Sequence, residues 1–396
     1  MGASGIDVSK PLTARELRSI SISEMKRFGT CRLQWYWASA PPRGLGLAPI
    51  WDEGPNLHFG RLVHEVLQKG YDTDRDFVGI YKTMVEEMRP KATGLFQGTS
   101  GKLDKLLIEG VGIMETYQEW SDQADKEIRF LATETRWENI EVPGTRGCGS
   151  AIIDAVVLRP DGVWLLDFKT TSFTNNAWTH QDLQATLYTY AGRKLIDPDI
   201  RGMIFRFILK KVPTKYSELL LKNGTVTKRQ KLDGFTTYDE YYKALAVMTY
   251  REMYKGEPLT PEEALVGARE EKDDPTFKES FQNVRRIYYN ELNSFNSTEG
   301  KQFIWDELQY RTKTQVDNYI KFYVAPRMND ILHPRWVGPT GLDSSFMGCR
   351  GCYFKTPCKL RMDGADYKTE LAENFALSDH YKLESEDNGD GEGEDE

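Results

Sequence analysis

No long hydrophobic run occurs in this chain of 396 residues. A transmembrane helix needs roughly 18 consecutive apolar residues, and no apolar segment approaches that length. The first residues also lack the apolar centre of a signal peptide. With 39% hydrophobic and 28% charged residues, the composition is that of an ordinary globular protein. We therefore expect a cytosolic protein without a membrane anchor.

An excess of positive charge is also lacking, since the formal net charge is −8. Eight carboxylates and no Lys or Arg lie in residues 384–396, so the rest of the chain is formally neutral. Within that neutral part, residues 209–231 carry seven cations against one acid, which favours a local basic surface. We interpret the acidic tail as a disordered, solubilising extension, with DNA mimicry or partner binding as the alternative.

Cysteine is scarce, with five residues, and structural disulfides are not expected in the cytosol. Cys349, Cys352 and Cys358 follow the pattern C-x2-C-x5-C. Such clustering indicates a metal ion or an iron–sulfur cluster. Three thiolates leave a tetrahedral site one ligand short, and Cys31, Cys148 or a histidine is available as the fourth.

Hydrophobic periodicity predicts an α/β protein with a helical N-terminal region. We expect helices near 21–37, 60–69, 77–88 and 103–120, strands over 128–138, 149–158 and 163–170, a helix over 181–195 and a strand over 202–209. Asn223-Gly224 predicts a basic hairpin with strands 216–221 and 225–231. The segment 238–326 has mostly helical periodicity.

These patterns divide the chain into five parts. They are a helical region over 1–125, an α/β core over 126–212, a basic hairpin and helical region over 213–345, a cysteine-bearing segment over 346–383 and the acidic tail over 384–396.

Charged residues interrupt two of the apolar strands. Asp167 and Lys169 share one face of the strand 163–170, and Asp154 lies in the preceding strand. Buried charges of this kind are costly unless they are paired, hydrated or bound to metal. A short turn joins the strands, so we expect the two carboxylates to converge. Two aspartates and the main-chain carbonyl of Phe168 suit Mg²⁺ or Mn²⁺.

Lys169 stands beside this predicted metal site, where it can orient a nucleophile or offset charge on a phosphate. A functionless Asp–Lys ion pair is the alternative. Glu134, on the first strand, is either a further acid near the metal or a solvated surface residue.

The order of these residues resembles the RecB-type branch of the PD-(D/E)XK nuclease superfamily. Gly60-x-x-x-His64 precedes Asp154 and Asp167-Phe168-Lys169, and Gln184-x-x-x-Tyr188 follows them. The resemblance implies that His64, Asp154 and Asp167 bind metal and that Lys169 is catalytic. It also implies that Gln184 and Tyr188 support the site or contact DNA. One departure is that Ala151 or Ile152 stands where this branch has a glycine.

The cysteine spacing is similar to that of the iron–sulfur nucleases of this branch, which include CRISPR-associated RecB-like exonucleases, AddB-type subunits and related phage proteins. The resemblance implies a [4Fe–4S] cluster held by Cys31, Cys349, Cys352 and Cys358. Such a cluster would tie the N-terminal helix to the C-terminal segment. Zinc is the alternative metal. Cys148 is left as a free thiol.

The resemblance implies a restriction-endonuclease-like core with a mixed central sheet, a large helical insertion and a C-terminal iron–sulfur clasp. The implied function is a metal-dependent DNA exonuclease in recombination, repair or phage replication. Its partners would be single-stranded DNA or DNA with free ends, and a helicase or recombination protein, in the cytosol of a bacterium or a phage-infected host. The alternative is a non-catalytic DNA-binding or helicase-partner subunit, against which the intact Asp154, Asp167 and Lys169 argue.

Overall fold

The computed structural model describes residues 19–39, 43–50, 55–95, 100–172, 182–228, 235–254, 259–295, 303–334, 337, 349 and 352–378. The predicted acidic tail and the part of the predicted hairpin from 229 onward lie outside the described residues. No helix in the described part of the chain is long and apolar enough to span a membrane.

Up to residue 209 the chain forms a helical region followed by strands. The elements are β1 (Ile20–Ser21), α1 (Ile22–Thr30), α2 (Arg32–Ala38), β2 (Leu47–Pro49), α3 (Pro55–Asp72), α4 (Phe77–Leu95), α5 (Ser100–Ala124), β3 (Arg129–Glu141), β4 (Cys148–Arg159), β5 (Gly162–Thr171), α6 (Leu183–Leu195) and β6 (Gly202–Leu209).

The remaining elements are mostly helices. They are α7 (Tyr238–Met253), α8 (Pro261–Glu270), α9 (Pro275–Ile287), α10 (Tyr289–Ser294), β7 (Ile304–Tyr310), α11 (Lys313–Tyr319), α12 (Ala325–Leu332), α13 (Lys355–Met362), α14 (Tyr367–Asn374) and β8 (Phe375–Leu377). A π-helical turn, Ile320–Val324, joins α11 to α12.

The central sheet is mixed, as expected. Within the described residues it has six strands in the order β1-β4-β5-β6-β7, with β3 paired to the other edge of β4. The predicted meander β3-β4-β5 is antiparallel, and its second turn uses Gly162 at φ +128°, a conformation that favours glycine. After the crossover through α6, β6 runs parallel to β5.

Strand β7 was not expected, because Ile304–Tyr310 lies in a segment with mostly helical periodicity. It pairs antiparallel with β6 along its whole length. All eight residues of β6 are buried, so this strand requires a hydrogen-bonding partner on each edge. Tertiary pairing therefore decides the conformation of β7 against its local pattern.

The predicted single helix over 21–37 is wrong, since α1 ends at Thr30 and α2 begins at Arg32. Ser21 caps α1 as expected, accepting a hydrogen bond from the Glu24 amide at 3.1 Å. Cys31 between the helices is extended, with φ −157° and ψ 119°. Gly29 and Thr30, both poor helix formers, precede this break.

The predicted hairpin strands are also wrong, although the turn lies where Asn223-Gly224 placed it. Tyr216–Leu219 forms a 3₁₀ turn, and a single bridge joins Leu220 to Val226. Leu219 and Val226 are buried against α7, α9 and α10. Packing onto these helices therefore replaces a longer strand ladder in the described part of this segment.

Helices cover both faces of the sheet and define two cores. One core lies between the sheet and α3, α4 and α5. The other lies between the sheet and α1, α6, α11 and α12. Helices α7, α9 and α10 enclose a further core of their own. Strand β5 is thus buried on both faces, which explains its nearly continuous apolar sequence.

A fully buried guanidinium ties the first of these helical layers to the sheet. Arg206 on β6 is 0% exposed and makes a two-pronged ion pair with Asp306 on β7, both distances being 2.8 Å. Its Nη2 also lies 2.8 Å from Asp125 Oδ1, and its Nη1 donates to the Tyr71 hydroxyl at 2.9 Å. Tyr71 lies on α3, so this network fixes α3 against the strands.

Replacing this guanidinium should destabilise the protein strongly. Arg206→Met removes the cation of Asp306 and leaves buried Asp125 with Arg75 as its remaining cation, and we expect a loss of about 3–5 kcal/mol in the free energy of unfolding. Chemical denaturation measures this difference. Arg136→Met, which removes an exposed ion pair with Glu138, is the matched control and should have little effect. A change below about 1 kcal/mol for Arg206→Met would contradict the proposed importance of the network.

Candidate active site

The site lies where strands β4 and β5 separate. Their pairing runs from Arg159↔Gly162 to Ala155↔Leu166 and goes no further along β4. Beyond this point the Asp154 carboxylate accepts a hydrogen bond from the Phe168 amide at 2.7 Å. A side chain thus replaces the missing main-chain partner, and this brings Asp154 against β5 as the sequence predicted.

Phe168 directs its main-chain polar groups to this gap. Its N–H points toward Asp154, and in an extended strand the N–H and C=O of one residue point to the same side. The Phe168 carbonyl therefore also faces the β4 side of β5, where the sequence placed it as a metal ligand. Its ring lies on the opposite face from Asp167 and packs in the core beneath α3.

Asp167 and Lys169 form a close ion pair on the α6 face of β5. Lys169 Nζ is 2.5 Å from Asp167 Oδ2. Gln184, at the start of α6, donates to Asp167 Oδ1 at 2.6 Å and accepts from Lys169 Nζ at 3.4 Å. Since Asp167 is only 3% exposed, these contacts hold its carboxylate in one orientation.

His64 reaches the site from α3. Its Nδ1 lies 3.4 Å from Asp154 Oδ2. Helix α3 approaches β5 closely at Gly60, where a Cβ atom would lie 3.3 Å from the Thr170 hydroxyl. The first glycine of the Gly60-x-x-x-His64 motif therefore allows the close approach that brings His64 to the carboxylates one turn later.

Burial and mutual charge shift the pKa values of these groups. Burial raises the pKa of Asp167 to about 6, and the charge of Lys169 offsets this only in part. Burial acts to raise the pKa of Asp154, but the hydrogen bond and charge of His64, the charge of Lys169 and the Phe168 amide together lower it. The partner carboxylates raise the pKa values of His64 and Lys169 against the effect of burial. The site is a compact set of two acids and two bases.

Gln184 and Tyr188 stand behind these groups. Tyr188 is buried, and its hydroxyl is hydrogen-bonded to Gln184 and to the main chain of Ile152 on the unpaired edge of β4. Burial raises the Tyr188 pKa well above its usual value. Of the two roles expected for this pair, the placement favours support of the site over contact with DNA.

A cleft of about 910 Å³ opens in front of the site. Its walls carry acids, cations and an aromatic ring, supplied by Gly60, Arg61, His64, Glu65, Gln68, Glu134, Ile152, Asp154, Phe168, Lys169, Thr170, Lys210 and Tyr353. Glu134 lines this cleft and has φ +37°, which is unusual for a side-chain-bearing residue. Such outliers concentrate at functional sites.

Sequence reasoning did not select Arg61 or Tyr353 as site residues. Arg61 lies inside the Gly60–His64 motif, which offered a signal, whereas Tyr353 comes from the distant cysteine segment. Lys210 belongs to the cation-rich stretch 209–231, and its place in this cleft became apparent only from the fold.

Three of the four cysteines of the predicted cluster share one apolar environment. Cys31, Cys352 and Cys358 pack against the apolar cluster of Leu33, Trp37, Phe354, Leu371 and Phe375. Burial raises the pKa of Cys352 to about 11, with further contributions from Cys31, Cys349 and Cys358. The four thiols therefore lie within electrostatic range of one another. Cys148 lies apart, 3.3 Å from the Ser19 hydroxyl.

Within the described residues, no three His, Cys, Asp or Glu side chains are arranged as a complete metal-binding group. At the active site, Lys169 and the Phe168 amide contact the carboxylate oxygens that a cation would use. The donor chemistry nevertheless fits a hard divalent cation, because two carboxylates, an imidazole and a main-chain carbonyl converge at one gap in the sheet.

Comparison with known families agrees with this architecture. The family model of the PD-(D/E)XK nuclease superfamily matches residues 19–359, which include every group of the site. The chain belongs to this superfamily, whose nucleases use divalent metals such as Mg²⁺. No curated protein matches the chain.

The position of Gln184 behind Asp167 predicts an effect on metal binding. Gln184→Leu removes the hydrogen bond that orients the Asp167 carboxylate, and outer-shell partners of this kind contribute roughly ten- to a hundredfold in metal affinity. We expect a loss of that size for Mn²⁺ in calorimetric titration. Gln123→Leu, on the exposed end of α5, is the matched control. Equal affinities for the two variants would show that Gln184 does not orient the ligand.

Proposed function

We propose that this protein is a metal-dependent DNA nuclease, and specifically an exonuclease of the RecB-type branch. The observation that carries the proposal is the convergence of His64, Asp154, Asp167 and Lys169 at the gap between β4 and β5. Membership of the nuclease superfamily supports the hydrolysis of phosphodiester bonds. Action on DNA ends in recombination, repair or phage replication, with a helicase or recombination partner, rests on the similarity to that branch.

His64, Asp154, Asp167 and the Phe168 carbonyl would hold Mg²⁺ or Mn²⁺. When bound, such an ion polarises the scissile phosphate and lowers the pKa of a coordinated water. Gln184 keeps Asp167 directed into the site. Lys169 donates to Gln184 and neutralises Asp167, and near a substrate phosphate its ammonium would offset developing negative charge.

Asp167→Asn tests the nuclease proposal directly. It keeps the size of the side chain but removes the charge that holds metal and pairs with Lys169. We expect degradation of end-labelled single- and double-stranded DNA in Mg²⁺ or Mn²⁺ to fall by roughly a hundredfold or more. Asp199→Asn, at the opposite end of α6, is the control and should retain activity. Absence of metal-dependent cleavage by the wild type on every DNA tested would favour a non-catalytic DNA-binding subunit.

For the cysteine segment, we propose a [4Fe–4S] cluster held by Cys31, Cys349, Cys352 and Cys358. The supporting observation is that Cys31, Cys352 and Cys358 pack in one apolar environment, with Cys349 within electrostatic range of Cys352 and Cys358. Four thiolates also suit zinc, which would leave the protein colourless.

Analysis of iron, sulfide and zinc after anaerobic purification decides between the two metals. Cys31→Ser removes one ligand and should abolish or greatly reduce iron content. Cys148 is hydrogen-bonded to Ser19 and lies apart from the four proposed ligands, so Cys148→Ser should leave the iron content unchanged. Stoichiometric zinc without iron in the wild type would overturn the cluster.

A further inference from the structure

Tyr353 connects the cysteine segment to the catalytic cleft. It lies between Cys352, which packs with the cysteine group, and Phe354, which is only 3% exposed. The Phe354 ring packs against Trp37 and Phe375 at centroid distances of 5.3 and 4.7 Å. Phe354 is buried and Cys352 is half-buried, whereas Tyr353 between them is 42% exposed and lines the cleft that contains Asp154.

Three cations line the cleft together with this ring, alongside the acids Glu65, Glu134 and Asp154. Arg61 comes from α3, Lys169 from β5 and Lys210 from the end of β6, and all three line the same cleft as Tyr353. Burial lowers the pKa of Lys210, which marks a cation that an added phosphate would stabilise. Cations that follow the backbone together with an aromatic side chain that stacks on bases are the two components of single-strand binding sites.

Other exposed aromatic rings lie elsewhere. Phe322 is 68% exposed on the π-helical turn and Tyr289 is 62% exposed on α10, but neither lines the catalytic cleft. The distinguishing feature of Tyr353 is therefore its location beside His64, Asp154 and Lys169 rather than exposure alone.

We propose that Tyr353 stacks on an unpaired base of the DNA strand that occupies the catalytic cleft, so that the substrate is single-stranded DNA or a frayed end. Inside a duplex, neighbouring base pairs cover both faces of each base, whereas an unpaired base offers a face to an aromatic ring. The inference rests on the proposed nuclease function, since it names the substrate of that site. It makes the cysteine segment a part of the substrate-binding surface.

The first test separates substrate binding from chemistry. Tyr353→Ala should raise KM for single-stranded DNA roughly tenfold while kcat changes less than about twofold. Tyr353→Phe keeps the ring and should behave as the wild type. Phe322→Ala removes an exposed ring outside the cleft and is the matched control. Metal content of each variant, compared with the wild type, reports whether the cysteine segment has remained intact.

The second test begins with the wild type alone, so its first result does not depend on the folding of any variant. KM is measured for a series of single-stranded oligonucleotides that differ only in the position of one abasic site. We expect KM to rise when the abasic site lies at one particular distance from the cleaved bond. Tyr353→Leu or Tyr353→Ala should lose this sensitivity at that position. A wild type with no sensitive position, or the same sensitivity in wild type and variants, would overturn the stacking role.

Binding of fluorescent single-stranded DNA in EDTA distinguishes failure of this inference from failure of the proposed function. Weaker binding by Tyr353→Ala without any cleavage by the wild type would overturn the nuclease proposal and support base stacking. Metal-dependent cleavage with unchanged KM and unchanged binding in Tyr353→Ala would support the nuclease and overturn base stacking.

Discussion

The hydrogen bond from the Phe168 amide to Asp154 is the contact on which the site depends. A sheet buried on both faces accommodates a carboxylate only where a partner satisfies it, because each buried polar group requires a partner. The separation of β4 from β5 exposes main-chain groups, and the Asp154 carboxylate satisfies one of them. The same separation opens the cleft and turns the Phe168 carbonyl toward it. One local break in the ladder thus supplies both the acids and their access to substrate.

Helix α3 must be held firmly against this break for His64 to meet Asp154. His64 and Tyr71 are seven residues apart on α3, about two turns, and therefore share a face. The Tyr71 ring stacks on Phe130 at 3.6 Å, and its hydroxyl contacts Arg206 at 2.9 Å. The buried Arg206 network therefore sets the position of the histidine, although it makes no contact with the cleft.

Sequence patterns predicted those parts of the molecule in which local and tertiary preferences agree. Alternation placed Asp167 and Lys169 opposite Phe168, and the short turn at Gly162 implied that Asp154 would approach them. The patterns failed at β7, where pairing with buried β6 overrides helical periodicity, and at Cys31, where one helix divides. Tyr353 was beyond prediction, because nothing local in its sequence relates it to strands nearly 200 residues earlier.

Contacts other than the cysteines join the N-terminal region to the C-terminal segment. Strand β2 pairs antiparallel with β8, and Trp37 from α2 packs on Phe354. Closing so long a loop has an entropic cost that grows only slowly with length, and these apolar and main-chain contacts already oppose it. A metal centre at the four thiols is then not required merely to join the two ends. If the proposed centre is present, its more specific consequence would be to hold the turn at Cys352 in one position, and Tyr353 on that turn lines the cleft of the proposed active site.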